Sequence, residues 1–421
     1  MTSTECCHGQ PIPVFHEGDD VVVSWGIMKK AEIELDVVVL LVAALTMLLT
    51  GALLFPVSRG LLPYYENGVY GLFLFIFALQ MVTLGRTPFG DAPRSKALIA
   101  VGVVVASLGM ITCFIPEVLS RVPQILLSIS FGLGGIALLL QMILSPDRFP
   151  TWRRYGGVFR HLIAGCAAVY ALSALIGLLV VRKDLLSTPM TAVVVLVMGF
   201  SLTYLAVTLQ KIYNTYPEAV QEPKGELDLP IERAMILLTG VFMVILGVLL
   251  VPVNLGKLPF SGSAQLGLLM VIMAIQILAT GASPIGSFPR TWLMITIGLV
   301  FVALGATSCI IPWVLVAPLT LLIGCTNILG GVLKLKEILV PIIKGPRGAG
   351  PVPPVLVRLN LVQVAMNLVS VTFGASMLIH DLLPGMVIGV VLAANGGLLL
   401  YLMHILYELD RLQKTMSQPA S

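Results

Sequence analysis

The sequence predicts an all-α membrane protein: twelve transmembrane helices in two parallel six-helix repeats, each made of three helical hairpins. Three observations predict it. The 421 residues are 57% hydrophobic and only 11% charged, with a mean hydropathy of +1.00, too little charge to cover a soluble surface. The apolar runs are about 20 residues long, the length a helix needs to cross hydrocarbon, and they lack the period-two polarity of a barrel strand. The chain also repeats itself at a fixed offset.

The repeated unit is clearest from Leu48 to Val82, where one apolar run closes at Pro56, a short polar turn follows, and a second run closes at Gln80. A copy starts near Val244, and the offset of 196 residues holds without a gap for about 100 residues. It aligns Gly51 with Gly247, Pro56 with Pro252, Gln80 with Gln276, Arg94 with Arg290, Gly109 with Gly305, Cys113 with Cys309 and Pro116 with Pro312. One inserted residue later, Asp184 aligns with Asp381 and Tyr204 with Tyr401. Agreement of this extent marks a duplicated half. Within each half the unit recurs more weakly, as in Pro116 to Gln141, so each half reads as three hairpins.

Residues 1–36 form a polar tail with no basic n-region, short apolar core and cleavage site, so a cleavable signal peptide is not expected. Its Glu5-Cys6-Cys7-His8 lacks the ligand spacing of a metal site, and no cofactor or metal is expected elsewhere. The first repeat, 37–210, has spans at 37–57, 68–85, 96–115, 121–144, 160–181 and 187–210. Helix is required there because every backbone donor and acceptor must be satisfied without water. Gly85 to Lys96 is a tight Pro/Gly turn. In 145–160, Arg148, Trp152, Arg153 and Arg154 form an aromatic and basic belt. Such anchors attract anionic lipid headgroups at roughly 1 kcal/mol per basic residue. A polar linker, 211–232, leads to the second repeat, 233–406, with spans at 233–254, 263–282, 291–311, 314–335, 358–379 and 384–406. Lys344 to Pro354 is a Pro/Gly linker, and 407–421 a polar tail. Small residues form packing faces: Gly385, Gly389, Ala393 and Gly397 on the last span, and Ala164, Ala168 and Ala171 on the fifth.

Charge placement orients the chain. Of 25 Lys and Arg residues, five (Arg59, Arg121, Arg182, Lys183, Lys257) fall in the odd-numbered loops and the other twenty in the tails and even-numbered loops. The positive-inside rule then puts both termini in the cytoplasm. Six spans per half make the halves parallel. The net charge of +4 follows from this orientation and carries no nucleic-acid footprint.

No Asp, Glu, Lys or Arg lies near the middle of a span, where ion-coupled transporters usually carry one. The deep polar residues are Asn327, Asn367 and Asn395, which are either partners between helices or the lining of a pore. No nucleophile–base constellation or phosphate-binding glycine loop has a signature, so no catalytic residue is expected. Cys113 and Cys309, near the outer ends of the third and ninth spans, are either small apolar packing residues or a pair joined across the two halves.

Gly109-Met110-Ile111-Thr112-Cys113-Phe114-Ile115-Pro116 followed by Phe131-Gly132-Leu133-Gly134-Gly135, with copies at Gly305 to Pro312 and Asn327 to Val332, resembles the HdeD family of bacterial inner-membrane proteins. The match covers spans one to four and seven to ten in patches, and this chain is similar to a fused pair of the family's six-span units. The resemblance implies a non-enzymatic protein of acid-stress response or a membrane scaffold with protein partners. The length, twelve spans and Gly90-Asp91 with Arg94 and Lys96 also resemble the major facilitator superfamily, which implies a transporter or channel for a neutral or apolar solute.

The orientation has a direct test. Single cysteines placed in the loops at 86–96 and 148–160 should not react with a membrane-impermeant maleimide applied outside intact cells. Strong labelling there reverses the topology.

Overall fold

The structure is a computed structural model, which describes residues 29–117, 119, 121–145, 157–219, 229–343, 354–379 and 382–417. The tail motif Cys6-Cys7-His8 and the belt residues Arg148, Trp152, Arg153 and Arg154 lie outside the described residues. Twelve helices among the described residues are long and apolar enough to cross a membrane. They are α1 (Leu35–Ser58), α2 (Glu66–Leu84), α3 (Lys96–Phe114), α4 (Val122–Leu144), α5 (Val158–Val181), α6 (Thr188–Thr215), α7 (Ile231–Asn254), α8 (Gly262–Thr280), α9 (Trp292–Ile310), α10 (Val316–Ile343), α11 (Pro354–Leu378) and α12 (Gly385–Ser417). The chain is therefore an all-α, multi-pass membrane protein by length and composition. The end of the bundle where α1 begins is called the near end here, and the opposite one the far end.

Local signals set the helix limits. Ser95, Ser261 and Thr291 cap α3, α8 and α9, each accepting from the backbone N–H three residues on. Gly85 and Gly281 end α2 and α8 in the left-handed conformation, at φ 67° and 71°. Pro56 and Pro252 lie inside the last turns of α1 and α7 rather than closing them, because a proline there removes one ladder bond near a terminus already frayed. The Pro/Gly turns at the near end hold small antiparallel ladders. β1 (Arg86–Thr87) pairs with β2 (Gly90–Asp91), and β3 (Ala282–Ser283) with β4 (Gly286–Ser287).

The helices pack in pairs that differ from the hairpins expected from the sequence. The closest partners are α1 with α6, α2 with α3, and α4 with α5, then α7 with α12, α8 with α9, and α10 with α11. Consecutive helices α1 and α2 are joined by a short turn but touch little. Glycine placement is the reason. A Cβ at Gly71 of α2 would lie 2.3 Å from the Gly109 carbonyl oxygen of α3, and one at Gly267 of α8 would lie 2.5 Å from that of Gly305 in α9. Gly51 sits against Ala192 and Leu196 of α6, Gly177 against the backbone of Gly132, and Gly247 against Gly389 and Ala393 of α12. Without a hydrophobic drive between helices in lipid, close backbone approach decides which helices associate. Gly396, rather than Gly397, joins the α12 face, meeting Val244. On α5, Ala164 and Ala171 are exposed and Gly177 makes the close contact.

The centre is formed by α2 and α8, of whose spanning windows 72% and 78% are buried, against 17% for α11. Hydrogen bonds cross between the two halves at both ends of the bundle. At the near end, Arg94 Nη1 donates to the Leu229 carbonyl at 3.2 Å, and Arg290 Nη2 donates to that of Ile33. Burial lowers the pKa of the Arg290 guanidinium, with Glu34 opposing the shift. At the far end, the Tyr65 N–H donates to Ile310 O at 2.9 Å and the Ser261 N–H to Phe114 O at 2.8 Å.

The glycine contacts carry a stability prediction. Gly71→Ala and Gly267→Ala should each destabilise the detergent-solubilised protein by about 1–3 kcal/mol, the usual range for overpacking. Gly262→Ala, where a Cβ meets nothing within 4 Å, should leave the melting temperature unchanged. Equal melting of all three variants would remove backbone approach as the pairing determinant.

Candidate functional site

The pairs of the first six helices meet through α5 and α6 but leave open space among them. Between them lies a near-end cavity of about 620 Å³, lined by α1, α2, α4, α5 and α6. A second cavity of about 220 Å³ opens at the far end of the same helices. Met47, Phe73 and Phe131 line both. Met47 is about halfway along α1, eleven residues from Asp36 at the near mouth, or roughly 16 Å at 1.5 Å per residue.

The waist is aromatic. Phe131 stands edge-on to Phe73, centroids 5.8 Å apart, and to Phe77 at 4.9 Å. It sits on a π-helical turn, Ile129–Leu133, that interrupts α4, a deviation often found at functional positions. Ser173 of α5 donates to the Phe131 carbonyl at 2.9 Å, giving it a partner where the helical ladder changes register. Gln124 and Ser128 continue this line of bonds onto Val180 and Gly177 of α5, which fixes α4 on α5.

Each mouth carries an ion pair. At the near mouth, Arg86 Nη2 lies 2.7 Å from Asp36 Oδ2, and its Nε lies 3.4 Å from Asp91 Oδ1. The Tyr213 hydroxyl donates to the same Asp36 oxygen at 3.0 Å. Burial alone would lower the pKa of the Arg86 guanidinium, but Asp36 and then Asp91 outweigh it, so Arg86 is held charged. At the far mouth, Lys183 Nζ lies 2.6 Å from Glu66 Oε1, and the Tyr70 hydroxyl donates to that oxygen. Burial, then the Glu66 charge, raises the pKa of the neighbouring Tyr64 phenol. Helix α2 holds one end of each pair: Glu66 begins it, and Arg86 follows its last turn.

Of these charged residues only Asp91 was singled out in the sequence, as part of a loop motif; Asp36, Arg86, Glu66 and Lys183 read as ordinary charges near helix ends. One signal could have found them. At the 196-residue offset, Glu66, Arg86 and Asp91 align with Gly262, Ala282 and Ser287. A charge present in one copy and missing from the other has no packing role that both copies share.

The three asparagines line neither of the two cavities. Asn327 donates to Ile323 O at 2.9 Å and accepts from Ser370 at 2.9 Å; Asn367 donates to Gln363 O at 2.8 Å; Asn395 Oδ1 is buried without a hydrogen-bond partner among the described residues. Their positions are nonetheless informative. They align with Phe131, Tyr170 and Met198 of the first half, all of which line the near cavity. Gln276 is bonded to Thr239 at 3.0 Å, whereas its counterpart Gln80 lines the near cavity beside Ala43. Cys113 and Cys309 are buried free thiols, donating to Gly68 O and Ala264 O at 3.3 and 3.6 Å. Among the described residues, no group of three His, Cys, Asp or Glu could hold a metal ion.

Comparison with known proteins gives no relative: no protein-family model, curated protein or solved structure matches the chain.

Proposed function

We propose that this chain is a membrane transport protein whose solute path runs through its first six helices, with the last six acting as a structural counterpart. One observation carries the reading: two cavities entering the same helical unit from opposite ends share a waist of Met47, Phe73 and Phe131. A path blocked by one apolar layer, with an ion pair at each mouth, fits an occluded carrier or a closed channel. In this reading the near end is cytoplasmic, the membrane is the inner (plasma) membrane, and basic loops meet anionic headgroups there.

The two halves are proposed to be parallel repeats related by a twofold axis along the membrane normal. Reciprocity supports this. Arg94 to Leu229 and Arg290 to Ile33 are the same bond read in both directions at the 196-residue offset, as are Tyr65 to Ile310 and Ser261 to Phe114. An isologous contact between two copies of one surface has that property.

The second reading is the one implied by the HdeD resemblance: a stress-response protein or scaffold without a path. Its support is the close backbone packing of α2 with α3 and of α8 with α9 at the centre.

Accessibility separates the two. With the six native cysteines replaced, Ala43→Cys and Ser173→Cys should react with a water-soluble maleimide from the near side, and Thr191→Cys from the far side. Their second-half counterparts for the near cavity, Thr239→Cys and Ser370→Cys, should stay protected. Phe131→Ala should open the waist and let Ala43→Cys react from either side. Protection of all the first-half positions would favour the scaffold and end the transport proposal.

A further inference from the structure

Gln80 is placed to meet whatever enters the near cavity. Phe73, Phe77, Gln80 and Leu84 fall on one face of α2, and all of them line the cavity. Gln80 lies seven residues beyond Phe73 of the waist, roughly 10 Å towards the near mouth at 1.5 Å per residue. The charged residues of the lining, Asp36, Arg86 and Asp91, belong to the mouth and are engaged in ion pairs there. Between the mouth and the waist the polar groups of the lining are neutral.

The second half shows what an amide at this position does when it has a partner. Gln276, the equivalent residue of α8, donates through Nε2 to the Thr239 hydroxyl of α7 at 3.0 Å. The residue equivalent to Thr239 is Ala43 of α1, which has no hydroxyl and lines the near cavity. The bond cannot form there, and the Gln80 side chain makes no other among the described residues. A group with both a donor and an acceptor is thus left open to a cavity walled mostly by apolar side chains. A buried polar group without a partner is costly. A site of this kind favours a solute that supplies the partner over one of the same shape that does not.

Resting on the transport reading above, we infer that the near cavity takes a mostly apolar solute bearing a neutral cis-amide edge, as in a lactam, and that Gln80 recognises that edge. The solute's carbonyl accepts from Gln80 Nε2, and its N–H donates to Gln80 Oε1. Its apolar remainder packs on Phe77 and the waist rings. The volume of about 620 Å³ falls in the range of cavities that enclose a drug-sized molecule.

Two probes with one ring frame test the inference: the lactam phenanthridin-6(5H)-one and the hydrocarbon phenanthrene. Binding is measured by equilibrium dialysis on the full-length protein in a neutral detergent, against detergent alone. Both should bind saturably. Gln80→Leu should weaken the lactam about tenfold, the effect of losing hydrogen bonds of ordinary net strength, and leave phenanthrene within about twofold. Ala43→Thr should do the same, because it gives Gln80 the partner that Gln276 has. Thr239→Ala, in the second half, should change neither affinity, and Ala43→Trp, which fills the cavity, should abolish both. Equal weakening of the two probes by Gln80→Leu, an unmoved lactam affinity, or saturable binding of phenanthrene alone overturns the assignment to Gln80. If Ala43→Trp still abolishes phenanthrene binding, the transport reading survives that result. If neither probe binds saturably the inference falls, and the reactivity of Ala43→Cys and Ser173→Cys decides the transport reading by itself.

Discussion

Backbone approach through glycine is the interaction on which the rest of this structure depends. In lipid, a leucine face gains little by meeting another leucine face, because the tails it leaves are equally apolar. Association then favours surfaces where two backbones come within van der Waals reach. Gly71 against Gly109, Gly177 against Gly132 and Gly51 against Ala192 are such surfaces, and they bind the first six helices into three pairs. No comparable seam joins α1 to α2. A cavity forms where the pairs meet, because that is where glycine contacts are missing.

The last six helices carry the same seams, with Gly267 on Gly305, Gly331 on the backbone of Asn367 and Gly247 on Gly389. The difference between the halves is in what faces inward. Ala43, Phe131 and Tyr170 are replaced by Thr239, Asn327 and Asn367. Thr239 gives Gln276 a partner, and Ser370 gives one to Asn327. Polar groups at these depths need partners, and Gln276 and Asn327 find theirs on a neighbouring helix. In the first half, rings and an alanine take those places and leave the space open.

Twelve helices, most of their limits to within a few residues, and the offset that relates the halves were legible in the sequence, because length, hydropathy and punctuation are local properties; α10 and α12 run 8 and 11 residues past their expected ends, to Ile343 and Ser417, where polar residues continue the helix beyond the apolar run. The pairing was not. The hairpin pattern follows from Pro56 and Gln80, but which helix lies against which depends on the direction each glycine faces, and a linear pattern does not contain that. The asparagines at 327, 367 and 395 drew attention as deep polar groups. They occupy the second-half positions equivalent to Phe131, Tyr170 and Met198, which line the near cavity, since polarity at depth is easier to see in a sequence than a cavity. Asp36, Arg86, Glu66 and Lys183 were passed over for the opposite reason: charges at helix ends are expected there whether or not they face a cavity.

The placement of those charges follows from energetics. A charged side chain at the centre of a spanning helix costs about 2.5–3.5 kcal/mol even by the lowest scales. Asp36, Arg86, Glu66 and Lys183 avoid that, because each sits at a helix end with side-chain exposure between 17% and 54%. Solvent there screens the pairs, so each is a weak latch rather than a strong one. The residues shared by the two cavities are Met47, Phe73 and Phe131, whose side chains carry no polar group that needs a hydrogen-bond partner. On the transport reading, a path of this kind would bar water and small ions at its middle and read charge at its mouths without burying an ion, which agrees with span interiors that carry no charge near their middle.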